Sequence, residues 1–161
     1  MSTTNLEPKS VLPSVLNVEL ISVNAEISSS KKLLQEMARL LTIALNDECK
    51  EKDIYHQLLE REKIGNTGIG NGVALPHSRS PDTDTAIVAI ISLKEGIDYD
   101  SADRQDVDLA FGLLVPEEAC QEHLNLLADI ARLASDPDKK KALRAAKDSK
   151  SVLNLISHWL T

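Results

Sequence analysis

Ala86-Ile87-Val88-Ala89-Ile90-Ile91-Ser92-Leu93 is an unbroken, mostly β-branched apolar run. It does not alternate between apolar and polar residues, so it is expected to be a strand buried on both faces. Pro81–Thr85, a polar turn, precedes it. After it come a loop, Gly96–Arg104, with Asp98, Asp100 and Asp103, and a second apolar strand, Val107–Val115, ended by Pro116. Strands covered on both sides need helices above and below them, and the flanking sequence supplies them.

Upstream, Leu33, Leu34, Met37, Leu40, Leu41, Ala44 and Leu45 recur at helical spacing behind the N-cap candidates Ser28, Ser29 and Ser30. A polar break, Asn46–Lys52, leads to a second helix capped by Asp53, carrying Ile54 and Leu58 and stopping at Gly65. Further upstream a short helix or turn is expected over Val11–Leu16 and a brief strand over Glu19–Val23. Downstream, Glu117–Ala134 is the longest helix candidate, with Leu124, Leu127, Ala128 and Ala131 on one face. Lys139–Lys147 follows Asp136-Pro137-Asp138, and Ser149 is expected to cap a last helix, Ser151–Leu160. The expected fold is α/β: a single-domain sandwich, residues 10–161, with a central mixed sheet flanked by helices on both faces. Residues 1–9 are expected to form a flexible tail.

Aromatics are only 2% of the chain, so the core must be aliphatic. A net charge of −7 argues against a general nucleic-acid-binding surface, and Lys139-Lys140-Lys141 reads as a solvated helix face. No apolar run approaches the ~20 residues of a membrane span, and no signal peptide is evident, so a cytoplasmic protein without membrane insertion is expected. Cys49 and Cys120 are too few for a disulfide framework, and Cys120 with His123 lacks the second ligand pair of a metal site.

Candidate chemistry converges on Gly65-Asn66-Thr67-Gly68-Ile69-Gly70-Asn71-Gly72-Val73-Ala74-Leu75-Pro76-His77-Ser78. Its glycine spacing is not that of a dinucleotide loop, and it follows a helix rather than a strand. No Walker A lysine is present. Alternate glycines bare one side of an extended backbone, either for close packing or for the approach of a phosphate. Val73–Leu75 reads as a short strand, Pro76 as a rigid corner, and His77 as an imidazole just beyond it. His56 and His158 read as exposed helix residues. Ser78 has no nucleophile elbow around it, and the Asp98, Asp100, Asp103 cluster reads as a solvated loop.

Arg61-Glu62-Lys63 followed by Gly65 through His77 resembles the active-site signature of the type-2 (mannitol/fructose-like) enzyme IIA domains of the phosphoenolpyruvate-dependent phosphotransferase system. The Thr67-Gly68-Ile69-Gly70-Asn71-Gly72 variant is most similar to the nitrogen-related regulatory branch. The resemblance spans about Val11–Leu160 and includes Asp106-Val107-Asp108-Leu109, Leu113-Leu114-Val115-Pro116 and His123-Leu124.

It implies that His77 accepts a phosphoryl group through Nε2 from a phosphohistidine carrier protein, with the other ring nitrogen held by a backbone hydrogen bond. Arg61 and His123 would flank the site. Thr67, Asn71, Gly72 and Ser78 would support it, with Asn71 where sugar-type relatives are acidic. No cofactor is implied, and no metal. Ser78-Arg79 stands where many relatives have Gly and Lys, which leaves the loop's conformation open. Two functions fit: a regulatory phosphoacceptor, or a sugar-transport component passing the group to a IIB domain. A chain with this signature and no apolar span or fused IIB segment fits regulation. A binding module in which His77 only caps a turn is a third reading.

Overall fold

The computed structural model describes residues 10–118 and 120–160. The expected tail, 1–9, lies outside the described residues. In chain order the elements are α1 (Leu12–Val15), β1 (Ile21–Ala25), α2 (Ser30–Leu45), α3 (Glu51–Ile64), β2 (Gly68–Gly70), β3 (Val73–Ala74), β4 (His77–Ser80), β5 (Ile87–Ile97), β6 (Val107–Pro116), α4 (Gln121–Ser135), α5 (Pro137–Ala145) and α6 (Ser149–Leu160). Short 3-10 turns, Val18–Leu20 and Glu48–Lys50, precede β1 and α3.

β5 and β6 pair antiparallel at the centre of a mixed sheet of order β1-β5-β6-β3-β2, and β4 also pairs with β6. β1 is parallel to β5, while β3 and β4 are parallel to β6. The unbroken apolar run has a simple cause. Ile87, Ala89, Ile91 and Leu93 face a core with α2 and α3, whereas Val88 and Ile90 face a second core with α1, α4, α5 and α6. Strand alternation thus divides one apolar sequence between two helical layers. Gly112, in β6, lies under Met37; a methyl there would stand 2.2 Å from Met37 Sδ, so glycine lets α2 settle onto the sheet.

α2 starts where expected, with Ser29 Oγ accepting from Lys32 N–H at 3.2 Å. Several boundaries differ from expectation. α3 begins at Glu51 and Asp53 sits in its first turn, where its charge suits the helix dipole without a capping bond. α4 begins at Gln121, not Glu117, and buries Leu126, Ile130, Leu133 and Ala134, leaving Leu124 and Ala128 exposed. The stripe expected from periodicity, Leu124, Leu127, Ala128 and Ala131, is therefore not the buried one: packing against the sheet selects a face rotated away from Leu124. α5 starts at Pro137 behind Asp136, whose carboxylate accepts from Asp138 and Lys139 N–H. α6 begins at Ser149, and Asp148 rather than Ser149 caps it by accepting from Ser151 N–H at 2.7 Å. Ser149 Oγ instead donates to Ile21 C=O at 2.6 Å, tying α6 to β1.

Candidate functional site

The glycine segment contains β3, where a short strand was expected, and β2, which spacing did not suggest. β2 runs back antiparallel on β3, with Gly70 paired to Val73. Between them Asn71 and Gly72 both have positive φ, 57° and 83°. An Asn-Gly pair with two positive φ values makes a tight hairpin whose twist matches its strands, and that dipeptide was the available signal. The tip is pinned from outside. Asn71 N–H donates to Asp103 Oδ2 at 2.8 Å, and Arg144 donates to Asn71 C=O at 3.0 Å and to Asp108 Oδ1 at 2.9 Å. The bond from Asn71 N–H, with another from Gln105, holds the Asp103 carboxyl below the usual range.

Pro76 is a missing rung more than a corner. The register of β3 on β6 (Val73 to Leu109) continues unchanged into β4 (His77 to Leu113). Pro76 C=O accepts from Leu113 N–H at 3.0 Å, but proline has no N–H to return. Alternation then turns the backbone groups of Ser78 toward β6 and those of His77 and Arg79 toward the open edge of β4. Ser78 N–H therefore belongs to the ladder, and the outward N–H is that of Arg79. Ser78 Oγ donates to Arg79 C=O at 2.9 Å.

Leu75 C=O points to the open side and lies 2.7 Å from His77 Nδ1. A carbonyl only accepts, so Nδ1 carries the proton and Nε2 presents its lone pair. By register His77 and Arg79 lie on the face of the α4–α6 layer, while α3 belongs to the other layer. A cleft of about 570 Å³ opens at the sheet edge where the two meet, lined by His56, Gln57, Glu60, Arg61, Ile64, His77, Ser78 and Arg79.

Of the residues singled out from sequence, Arg61, His77 and Ser78 share this cleft. Arg61 Nη1 donates to Gly65 C=O at 2.8 Å, which leaves most of its fork open. His123 stands in the first turn of α4, outside the cleft lining. Its Nδ1 accepts from Cys120 N–H at 3.2 Å as part of the helix cap. Asn71 and Gly72 occupy the hairpin tip. Thr67 is buried, hydrogen-bonded through N–H and Oγ1 to Glu62. His56 is exposed as expected, yet it lines the cleft, as do Gln57, Glu60, Ile64 and Arg79. One face of α3 carries His56, Glu60 and Ile64 at four-residue steps, a signal visible only once α3 is known to border β4.

Glu62 is the residue whose role sequence reading missed. Its carboxylate accepts from Thr67 N–H at 3.1 Å and from Tyr99 Oη at 2.6 Å. Tyr99 C=O in turn accepts from Asn66 Nδ2 at 2.8 Å. The end of α3 that carries Arg61 is thus bolted to the segment leading to His77. Burial, with the neighbouring Glu62 carboxylate, pushes the Tyr99 phenol well above its ordinary range.

The family model described as "Phosphoenolpyruvate-dependent sugar phosphotransferase system, EIIA 2" matches residues 14–159. A nitrogen regulatory protein of Bradyrhizobium diazoefficiens is 36% identical over 155 residues, 96% of this chain and 94% of its own length. One from Pseudomonas aeruginosa is 38% identical over 134 residues, 83% of this chain and 86% of its own. The crystal structure of nitrogen regulatory protein IIA-Ntr from Neisseria meningitidis superposes with a TM-score of 0.84 at 33% identity, covering 91% of this chain and 99% of that one.

Proposed function

The chain belongs to the type-2 EIIA family of the phosphoenolpyruvate-dependent sugar phosphotransferase system, and from that premise we propose that it is a regulatory phosphoacceptor of a nitrogen-related branch, phosphorylated on His77 Nε2. Proteins of this family accept phosphoryl groups from phosphocarrier proteins. The donor here is the phosphohistidine of a small carrier of the histidine-protein type, and the exchange takes place in the cytoplasm. No described helix is long and apolar enough to cross a membrane.

The observation that carries the reading is the bond between His77 Nδ1 and Leu75 C=O, which leaves Nε2 as the free nucleophile at the edge of a cleft containing Arg61 and Arg79. In the transfer, the P–N bond to the carrier imidazole breaks and its electron pair returns to the carrier nitrogen. A new P–N bond forms to Nε2, and the Nδ1 proton stays in its bond to Leu75. The transferred group spreads its charge over three oxygens, so positioning and guanidinium donors supply most of the catalysis. Arg61 offers a planar fork of donors suited to those oxygens. His123 adds a donor if its cap opens when the carrier docks. The phosphoryl group brings roughly −1.5 to −2 charges to one spot, enough to change which partners bind.

The test is incubation with phosphoenolpyruvate, the general first enzyme and the carrier. An acid-labile phosphoryl mass is expected on the wild-type chain and not on His77→Ala. Absence of that mass, or its persistence on His77→Ala, overturns the reading. Efficient onward transfer to a sugar-type IIB domain would instead assign the chain to transport, the reading the relatives favour less.

A further inference from the structure

The cleft carries two guanidiniums that no carboxylate of the described residues pairs with. Among the described arginines, Arg39, Arg132 and Arg144 each have a carboxylate within ion-pair distance, whereas Arg61, Arg79 and Arg104 have none, and of these three Arg61 and Arg79 line the cleft. Their bonds go to carbonyls: Arg61 to Gly65 at 2.8 Å and Arg79 to Glu117 at a long 3.4 Å. Glu60, the one acid in the lining, is already paired with Lys63 at 2.8 Å. Two free guanidiniums and two imidazoles therefore share one cleft of a protein whose net charge is −7.

Beside them is an apolar feature with no internal purpose. Ile64 lines the same cleft and is 84% exposed, far more than any other large apolar residue described; Leu124 follows at 50%. An aliphatic side chain left in water beside unpaired guanidiniums matches a partner that presents an apolar residue next to a carboxylate.

We propose that, while His77 is unphosphorylated, this cleft receives an acidic segment of a partner protein, with a carboxylate at Arg61 and Arg79 and an apolar side chain on Ile64, so that partner binding and phosphorylation of His77 exclude one another. This rests on the reading of His77 as the phosphoryl acceptor and names the chemistry of the regulated partner. A phosphoryl group on Nε2 places its own oxygens where the partner's carboxylate would sit. The switch needs no refolding, because the same donors serve either anion.

The test uses the full chain, isotopically labelled, and two synthetic peptides: Leu-Asp-Glu-Leu-Glu and its counterpart with lysine at every acidic position. Saturable binding of the acidic peptide is expected, with shifts at the Arg61 and Arg79 side chains and the Ile64 methyl groups. Arg79→Gln should weaken it about tenfold, the scale of one charged hydrogen bond. Ile64→Ser should weaken it with the fold intact. Chain phosphorylated chemically with phosphoramidate, and His77→Asp as a charge mimic, should each lose binding. The proposal is overturned if the acidic peptide fails to saturate, shifts residues elsewhere, binds phosphorylated chain equally well, or is matched by the basic peptide. Failure of enzymatic transfer from the carrier, with peptide binding intact, would count against the phosphoacceptor reading alone.

Discussion

His77 Nδ1 is committed to Leu75 C=O, so the imidazole enters the cleft with Nε2 as its unprotonated nitrogen. The partner groups are held with less redundancy. Arg61 has one bond, to Gly65 C=O, at the end of a helix fastened through Glu62. Replacing it with lysine keeps the charge but removes the fork and the tie to Gly65. Arg61→Lys should slow phosphorylation of His77 by about ten- to a hundredfold, the loss of one charged hydrogen bond of ~1.5–3 kcal/mol, measured as single-turnover transfer from the phosphorylated carrier. Tyr99 is a second test at this scale. Tyr99→Phe removes a buried donor from Glu62 and should cost about 1–2 kcal/mol in urea unfolding at neutral pH. Its raised phenol fixes the sign of the pH dependence. The Tyr99 contribution is fully present below the unfolded value of about pH 10 and falls away as pH rises beyond it toward the higher folded value. Wild type and Tyr99→Phe should therefore converge in stability at strongly alkaline pH.

At the scale of elements, the strands were legible where burial imposed a composition. Ala86–Leu93 and Val107–Val115 could only be central strands, and the α2 stripe could only be a buried helix face. β2 and β4 were not legible in the same way, because neither has a hydrophobic pattern of its own. β2 exists through its tight hairpin onto β3, and β4 through its register on β6, which is set by residues distant in sequence. The same limit applied to the site. His77, Arg61 and Ser78 could be read from a local signature, but Arg79, Ile64 and His56 join them only because α3 borders the edge of β4. Asn71-Gly72 carries a local hairpin signal inside a segment whose glycines also resemble a phosphate loop. Gly72 has φ 83°, and a methyl there would stand 2.6 Å from Arg144 Nη2 and 3.2 Å from Asp108 Oδ1. Arg144 is held by Asp108 and Asn71, so it cannot move aside without breaking those bonds. Gly72→Ala should lower stability by about 1–3 kcal/mol. Arg144→Ala in the same background should recover part of that loss, and thermal unfolding of the four combinations measures it as a coupling.

The whole molecule is two cores built on one sheet, and the site uses both. β5 sends Ile87, Ala89 and Ile91 into the α2–α3 core and Val88 and Ile90 into the α4–α6 core, and β6 divides Ala110 and Leu114 from Leu109, Phe111 and Leu113 in the same manner. Neither layer can leave without exposing strands that the other depends on, so the layers should unfold together. The chain's single tryptophan, Trp159, packs against the α4–α6 core, whereas Leu41, wholly buried, belongs to the opposite one. Leu41→Ala should cost about 2–5 kcal/mol through lost burial and a residual cavity. Although Trp159 lies across the sheet, its fluorescence midpoint in urea should fall by the same amount as the far-UV circular dichroism midpoint. A Trp159 transition left in place would mean that the α4–α6 layer stands without α2 and α3. His77 and Arg79 would then remain on their strand while Arg61 and Ile64 were lost with α3. Coincident transitions mean that the cleft exists only while the entire sandwich does.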